Sequence, residues 1–438
     1  MDLERINIGD GININFVESD KFKTNLIEID IINNLESDLK ASKNALLAKV
    51  LTRGSKNFPT MADINKKLNY LYAAKINSWV SKIGETQVLI ISAEMLEDKY
   101  APDKTNITDE TINILGDIFI NPLTENGSFK TEYVESEKKN LTNEILAQIN
   151  DKNAYVYKKC IETMCINENF SINNLGTIEA VKSICGNDLY KHYNHILSHC
   201  SIEIFCVGKF REKKKSVTEK FVDLLKNIKR ENLEKYGSEF ISSSDFKGET
   251  TEEMEVAQGK LAMGFRTGIS NKDNNFSDFV MFDAVYAMTP MGKLFQIIRE
   301  KLSLCYYCYT KVDSAKGVAV VLCGIENENK QQAADEILNL LNEMKNGDFT
   351  GEDIEAARLA VVNSYKEITD SADSIIYWYL RRILCGNIKT PEDALKEINA
   401  VTREKIIAAA KKLNLEKVYF LKGTLSKDDN GEENGYDI

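Results

Sequence analysis

The feature that most constrains this chain of 438 residues is an order of elements that occurs twice. The first half ends with two helical patterns and the apolar strand of residues 202–207, which stops at Gly208. The second half ends in the same way, with two helical patterns, a strand at residues 418–421 and Gly423. Matched elements in matched order indicate one structural unit used twice.

The beginnings of the two halves match as well. Residues 21–30 alternate between apolar and polar side chains, which predicts a half-buried strand, and residues 259–265 take the same place in the second half. An apolar helix, an extended segment and two long amphipathic helices follow in each half. They are predicted around residues 45–51, 87–92, 109–120 and 133–149, and then around 279–288, 318–323, 331–344 and 354–368.

This alternation predicts an α+β fold with two tandem homologous domains, in which helices pack on one face of a mainly antiparallel sheet. We place the N-terminal domain at residues 1–230 and the C-terminal domain at 256–424. The hydrophilic segment 231–255 is predicted to be a linker, and the tail 425–438 is too polar to pack and is predicted to be disordered.

Composition excludes several classes of function. A net charge of −11 argues against sequence-independent binding to nucleic acid, which needs clustered cations. The first residues do not form a secretory signal, and no apolar run approaches the roughly 18 residues of a membrane span. The nine cysteines are scattered and odd in number, which favours a reducing compartment. We therefore expect a cytoplasmic protein without nucleic-acid or membrane partners.

Two tandem α+β domains of this size resemble the M16 peptidases, the pitrilysin and mitochondrial-processing-peptidase family, whose fold is of the LuxS/MPP-like metallohydrolase type. An early helix of that family carries His-x-x-Glu-His and a nearby Gly-Ser or Gly-Thr. The corresponding stretch, residues 45–55, keeps the apolar spacers and ends in Gly54–Ser55. The three chemical positions are occupied by Ala45, Ala48 and Lys49.

These substitutions remove the chemistry of the motif. Two histidines four residues apart on one helix face can bind one zinc ion, and a carboxylate between them can deprotonate the bound water. Alanine has no donor atom, Lys49 brings a cation, and no histidine precedes His192. The resemblance also makes Glu144 the counterpart of the third zinc ligand. Without the histidines, we interpret Glu144 as a solvated or Lys49-paired carboxylate and predict that the chain has neither catalytic residues nor a metal cofactor.

The second half keeps another motif of the family. Residues 294–306 match Leu-Phe-x-x-(Ile/Leu)-Arg-Glu followed by a tyrosine, with Arg299 and Tyr306 seven residues apart. In the family this pair binds the peptide near the scissile carbonyl, and both side chains can donate hydrogen bonds to a carbonyl that gains negative charge. The alternative is a surface ion pair of Arg299 with Glu300 and an ordinary strand tyrosine.

The resemblance implies a non-catalytic, substrate-binding subunit of a heterodimeric zinc peptidase. Its partner would be a catalytic M16 subunit, its substrate a peptide or an unfolded protein, and the isolated chain could pair with itself. Among bacterial members, it resembles the inactive partner associated with modification of elongation factor P. The alternative function is a peptide-binding or scaffold protein on the same fold, without a proteolytic role.

Two further clusters carry chemical potential. His192, His195 and His199 share one predicted helix face, so a metal site stays open beside the interpretation as a polar outer face. Cys305 and Cys308 have the spacing of a redox pair. In a regular strand, residues three apart point to opposite faces, so we expect the two cysteines to pack separately in the core.

Overall fold

The computed structural model describes residues 1–288 and 290–425; most of the tail predicted to be disordered lies outside this range. The strands are β1 (Leu3–Gly9), β2 (Ile12–Glu18), β3 (Thr24–Asn34), β4 (Lys75–Ile83), β5 (Thr86–Leu96), β6 (Thr124–Glu125), β7 (Ser128–Phe129), β8 (Ser201–Gly208), β9 (Glu249–Met254), β10 (Gly259–Arg266), β11 (Cys305–Asp313), β12 (Val318–Ile325) and β13 (Asn414–Gly423).

The α-helices are α1 (Asp38–Leu51), α2 (Met61–Tyr70), α3 (Ile107–Ile120), α4 (Thr131–Ala147), α5 (Lys152–Met164), α6 (Ile178–Ser183), α7 (Gly186–His199), α8 (Lys214–Leu225), α9 (Phe276–Asp283), α10 (Lys330–Asn346), α11 (Gly351–Glu367), α12 (Ala372–Cys385), α13 (Pro391–Asn399) and α14 (Arg403–Ala410). Two π-helical segments, Ala284–Met288 and Phe295–Lys301, and short 3-10 turns at Asp98–Tyr100, Asn169–Ser171, Asn327–Asn329 and Ile368–Asp370 complete the set.

The chain forms two compact units, each built from separate stretches of sequence. Unit 1 comprises residues 1–147, 172–238 and 366–392, and unit 2 comprises residues 148–171, 239–365 and the chain from 393 onward. Each unit therefore takes one helix from the opposite half of the sequence, α12 in unit 1 and α5 in unit 2.

Both units arrange their strands in the same way. The sheet of unit 1 has the order β1-β2-β8-β3-β5-β4, and that of unit 2 has the order β11-β12-β10-β13-β9. The long central strand pairs antiparallel on both sides, β3 with β5 and β8, and β10 with β12 and β13. The parallel pairs β2–β8 and β9–β13 also correspond. The predicted α+β fold of two homologous, mainly antiparallel units is confirmed.

The main core of each unit lies between the sheet and the helices on one of its faces. In unit 1, Ile27, Ile29 and Ile31 of β3 pack in one apolar cluster with Leu46 and Leu47 of α1. Alternate residues of a strand point to the same face, which is why this face of β3 is continuously apolar. The helix α1 starts where the Ser37 side chain accepts a hydrogen bond from the Lys40 backbone.

The opposite sheet face of unit 2 is covered by α5. Val156, Cys160 and Met164 pack in a second cluster with residues of β10, β12 and β13. The approach is close at Gly264, where a Cβ atom would lie 2.5 Å from Met164 Sδ. A larger residue there would displace the side chains of Met164 and Cys160 from their contact with the sheet.

The elements not predicted from the sequence include β9, α5 and α12. Residues 249–254, within the predicted linker, form β9, whose Thr and Glu side chains suit an exposed edge strand. The helices α5 and α12 have amphipathic patterns of their own, but only tertiary packing shows which unit each belongs to. Within the described residues, no helix combines the length and apolar character needed to cross a membrane.

Candidate functional site

Two ion pairs connect α4 to α1 and to the turn after α1 in unit 1, where the family would bind zinc. Lys49 Nζ lies 2.6 Å from a carboxylate oxygen of Glu144, one of the two arrangements expected from the sequence. Just past the end of α1, Arg53 Nη1 lies 3.4 Å from Glu137, and the Arg53 guanidinium also lies over the ring of Tyr133 at 5.2 Å. Two cations of this segment thus neutralise two carboxylates on α4.

The residues at this position do not fit a zinc ion. Ala45 and Ala48 are 2% and 1% exposed and belong to the apolar core of unit 1. Their methyl groups offer no ligand, and the ammonium of Lys49 repels a cation. Among the described residues, no group of three or more His, Cys, Asp or Glu side chains could hold a metal ion.

The retained Gly54–Ser55 pair has a structural role. A Cβ at position 54 would lie 2.4 Å from the carbonyl oxygen of Pro59, so only glycine fits without a shift of the backbone. The buried Ser55 hydroxyl donates a hydrogen bond to Asp117 at 2.5 Å. These contacts fix the turn after α1 and need no metal.

Arg299 and Tyr306 lie together in unit 2, in the wall of an open cleft of about 430 Å³. The side chain of Arg299 is 45% exposed, and Tyr306 is 58% exposed. The cleft is lined by Arg299, Glu300, Ser303, Leu304, Cys305, Tyr306, Glu326 and Asn329. The two motif residues therefore reach the same space from different elements.

Local backbone geometry explains why Tyr306 faces solvent. Its strand, β11, pairs with β12 so that Cys305 is opposite Ile325 and Tyr307 is opposite Gly324, which leaves Tyr306 as the extra residue of a β-bulge. A bulge redirects one side chain away from the regular alternation of a strand. Arg299 is in the π-helical segment Phe295–Lys301, and its guanidinium lies 4.6 Å from the ring centre of Phe295.

The polar groups of the cleft are only lightly engaged. The Tyr306 hydroxyl donates a hydrogen bond to Glu326 at 2.7 Å, and this bond raises the pKa of the phenol because it favours the protonated form. Arg299 Nε is 4.0 Å from Glu300, a solvent-exposed pair. Both donors of the motif could therefore turn toward a bound acceptor at little cost.

The three histidines make different contacts. His192 is buried, and its Nε2 lies 2.6 Å from Asn44 Oδ1 on α1, so it is part of the core rather than of the predicted polar face. Burial, with nearby Lys43, lowers the pKa of His192 to about 3. His195 contacts Glu234 at 2.9 Å and stacks on His199 at 4.4 Å.

The expectation that Cys305 and Cys308 point to opposite faces is wrong. The bulge at Tyr306 adds one residue between them and returns both side chains to the same face. Both are buried, as predicted, and pack with Cys323 in the main apolar cluster of unit 2. The three thiols therefore share one face of the β11–β12 pair.

Sequence reasoning missed the partners of the candidate residues. Asn44 follows Ser42 and Lys43 in α1, and Glu326 begins a polar run after β12, so nothing in the sequence marks either as a partner. Their roles follow from helix packing and strand register, which local periodicity does not encode.

Comparison with known proteins identifies the family. A family model described as the peptidase M16 inactive domain matches residues 183–361. The probable inactive metalloprotease YmfF of Bacillus subtilis (strain 168) is 30% identical over 415 residues, which cover 94% of this chain and 96% of that protein. The chain belongs to the M16 peptidase family. It is an inactive M16 homologue and does not catalyse peptide cleavage on its own.

Two solved structures share the fold of this chain. A conserved protein from Enterococcus faecalis V583 superimposes with a TM-score of 0.88 at 25% identity, covering 96% of this chain and 99% of that one. The peptidase M16 inactive domain from Pseudomonas fluorescens has a TM-score of 0.78 at 13% identity, covering 97% and 99%. The M16 fold thus accounts for both units.

Proposed function

We propose that this inactive M16 homologue is the substrate-binding subunit of a two-chain zinc peptidase and supplies Arg299 and Tyr306 to a peptide held at the zinc site of a catalytic M16 partner. The observation that carries the proposal is the exposed pair in the cleft of unit 2, in a chain whose metal positions hold alanine and lysine. The substrate would be a peptide or an unfolded protein, in the cytoplasm.

The chemistry of the pair suits a peptide carbonyl. A guanidinium offers several N–H donors with a permanent charge, and a phenol adds a neutral O–H donor. Donors of this kind stabilise the oxygen that becomes negative during attack on a peptide bond. In the cleft, Arg299 and Tyr306 are half-exposed, and their present contacts are to the carboxylates of Glu300 and Glu326 at its rim.

The ion pairs of unit 1 support the division of labour. Glu137 and Glu144 would be uncompensated carboxylates if a metal ion had been lost without replacement. Lys49 and Arg53 neutralise them, so neither carboxylate needs a metal ion to balance its charge. A chain that has adapted to the loss of its metal, yet still exposes the peptide-binding pair, fits a subunit that works beside a zinc-bearing partner.

The test is a cleavage assay on the reconstituted pair. The chain would be co-expressed with an M16 protein of the same genome that carries His-x-x-Glu-His, and peptide cleavage would be measured for the pair and for each chain alone. We expect cleavage only by the pair. Arg299→Ala should then lower kcat/KM by about 10²-fold, the effect of removing one such donor.

Matched controls separate substrate contact from folding. Arg211→Ala removes an exposed arginine of unit 1 and should leave the rate unchanged. Tyr306→Phe should slow the pair, whereas Tyr309→Phe, on the same strand, should not. Equal rates for Arg299→Ala and Arg211→Ala would refute the role of Arg299.

The alternative, a peptide-binding scaffold without a proteolytic role, makes a different prediction. The isolated chain or its homodimer would bind an unfolded peptide. Adding the zinc-bearing chain would change neither the affinity for that peptide nor its rate of cleavage. The same assay distinguishes the two functions. The link to modification of elongation factor P stays a prediction from resemblance.

A further inference from the structure

Three cysteines meet at the inner wall of the cleft in unit 2. Cys308 is directly opposite Cys323 across the β11–β12 pair, and the bulge brings Cys305 to the same face. Cys305 lies between the other two thiols and the cleft, since it lines the cleft while 8% exposed, and Cys308 and Cys323 are 2% and 1% exposed. One thiol thus lines the cleft, and two more deeply buried thiols lie behind it.

We infer that Cys305 is a site of redox modification. A peroxide that enters the cleft oxidises Cys305, and the thiol of Cys308 or Cys323 then forms a disulfide with it. In the first step, the Cys305 thiolate attacks one oxygen of hydrogen peroxide. The O–O bond breaks, sulfur is oxidised to the sulfenic acid, and hydroxide leaves and takes up a proton as water. In the second step, a neighbouring thiol attacks this sulfur, the S–O bond breaks and a second water leaves.

The surroundings of Cys305 favour the first step. The neighbouring thiols of Cys308 and Cys323, and after them the positive charge of Arg299, lower the pKa of Cys305 to about 4 because they favour its thiolate. The thiolate is the form that attacks peroxide. The charged groups facing it from the cleft also include the carboxylates of Glu300 and Glu326, which are on the solvent side.

The strand register favours the second step. Because Cys308 directly faces Cys323 and the bulge puts Cys305 on the same face, the three side chains are neighbours in one apolar cluster, and either thiol could attack without a large movement of β11. A disulfide forms readily only where the backbone already brings two cysteines together. The site is independent of peptide cleavage, and it does not depend on the proposed function.

The other cysteines provide internal standards. Cys185 is exposed and its sulfur is 3.2 Å from Asp188, so exposure alone would make it react first. Cys206 is fully buried in unit 1, away from any cleft that we describe. If reactivity follows the cluster rather than exposure, Cys305 should exceed both.

The experiment uses the reduced, full-length, wild-type chain. It is exposed to sub-stoichiometric hydrogen peroxide with and without dimedone, and modified cysteines are mapped by peptide mass spectrometry. We expect a disulfide that contains Cys305, with the loss of two of the nine thiols, and oxidation of Cys305 at least about tenfold faster than that of Cys185. Faster reaction at Cys185, or oxidation that leaves Cys305 reduced, would overturn the inference.

Variants test each step separately. In Cys308→Ser/Cys323→Ser, the sulfenic acid should persist, and dimedone should label Cys305. Arg299→Gln should slow oxidation of Cys305 several-fold without changing Cys185. Because the wild-type map needs no substitution, it decides the question even if the double variant folds poorly. A double variant that folds and still forms a disulfide at Cys305 would contradict the assigned partners.

Discussion

The polar groups on the α1–α4 face of unit 1 are paired within the chain, whereas those in the cleft of unit 2 are largely exposed. On the α1–α4 face, each carboxylate that remains from the metal position is paired with a cation of the same chain, Glu144 with Lys49 and Glu137 with Arg53. In the cleft, Arg299 and Tyr306 remain exposed, with one contact each to a rim carboxylate.

The difference shows how an enzyme fold can lose chemistry while it keeps a surface. Removing a metal ion leaves carboxylates that must be neutralised, and new ion pairs can do this inside one chain. Exposed donors need no such repair, because water satisfies them. Unit 1 is therefore expected to resist restoration of its site, and unit 2 is expected to tolerate substitutions that leave the cleft open.

The largest effect should come from returning a carboxylate to the metal face. Ala48→Glu puts a charge at a position that is 1% exposed and surrounded by apolar side chains. A buried carboxylate without a partner costs about 3–5 kcal/mol. The free energy of unfolding, measured in denaturant at neutral pH, should fall by that amount.

A control on the same helix separates burial from charge. Leu39→Glu adds the same carboxylate at a position that is 42% exposed and should change stability by less than about 0.5 kcal/mol. If Ala48→Glu were as stable as Leu39→Glu and bound zinc, the conclusion that these positions do not fit a metal ion would be wrong.

The second effect concerns the buried contact between His192 of α7 and Asn44 of α1. The folded chain holds His192 neutral, with its pKa lowered to about 3, whereas an unfolded histidine takes up a proton below about pH 6.5. The unfolded state therefore binds more protons between these values, and stability should fall as the pH falls below 6.5. The slope has an upper limit of about 1.4 kcal/mol per pH unit.

Denaturation midpoints at neutral and mildly acidic pH measure this slope. His192→Gln can still hydrogen-bond to Asn44 but does not titrate, so it should flatten the dependence. Asn194→Gln, at an exposed position of the same helix, changes no titratable group and should keep the wild-type slope. Equal slopes for the two variants would show that another group is responsible.

The two ion pairs should contribute less, and unequally. Glu137 has a side chain only 8% exposed, whereas Glu144 is 47% exposed, so solvent screens the Lys49–Glu144 pair more. Double-mutant cycles with alanine should give a coupling of about 1 kcal/mol for Arg53–Glu137 and less than about 0.5 kcal/mol for Lys49–Glu144. Both coupling energies should decrease at high salt. A larger coupling for Lys49–Glu144 than for Arg53–Glu137 would mean that burial does not determine the strength of these pairs.

The sequence predicted the parts of this picture that depend on residue type and period. The repeat, the lost ligands at Ala45, Ala48 and Lys49, and the Arg299–Tyr306 spacing can all be read from the chain. It did not predict the bulge at Tyr306, because an extra residue in one strand is visible only when the partner strand is known. The thiol cluster was missed for the same reason.

The smallest effect concerns the link that connects the two motif residues of the cleft. Ser303 lies between the Arg299 segment and β11 with a φ of 51°, in the left-handed region that favours glycine. Ser303→Gly removes this strain but makes the unfolded chain more flexible, so the two effects partly offset each other and a gain of about 0.5 kcal/mol remains. Ser201→Gly, in strand β8 of unit 1, relieves no such strain and should lower stability.

Ser303→Gly removes one hydroxyl from the lining of the cleft but leaves Arg299 and Tyr306 in place, so it should also leave cleavage by the reconstituted pair unchanged. A stable variant that cleaves more slowly would show instead that the strained turn itself positions Arg299 against Tyr306.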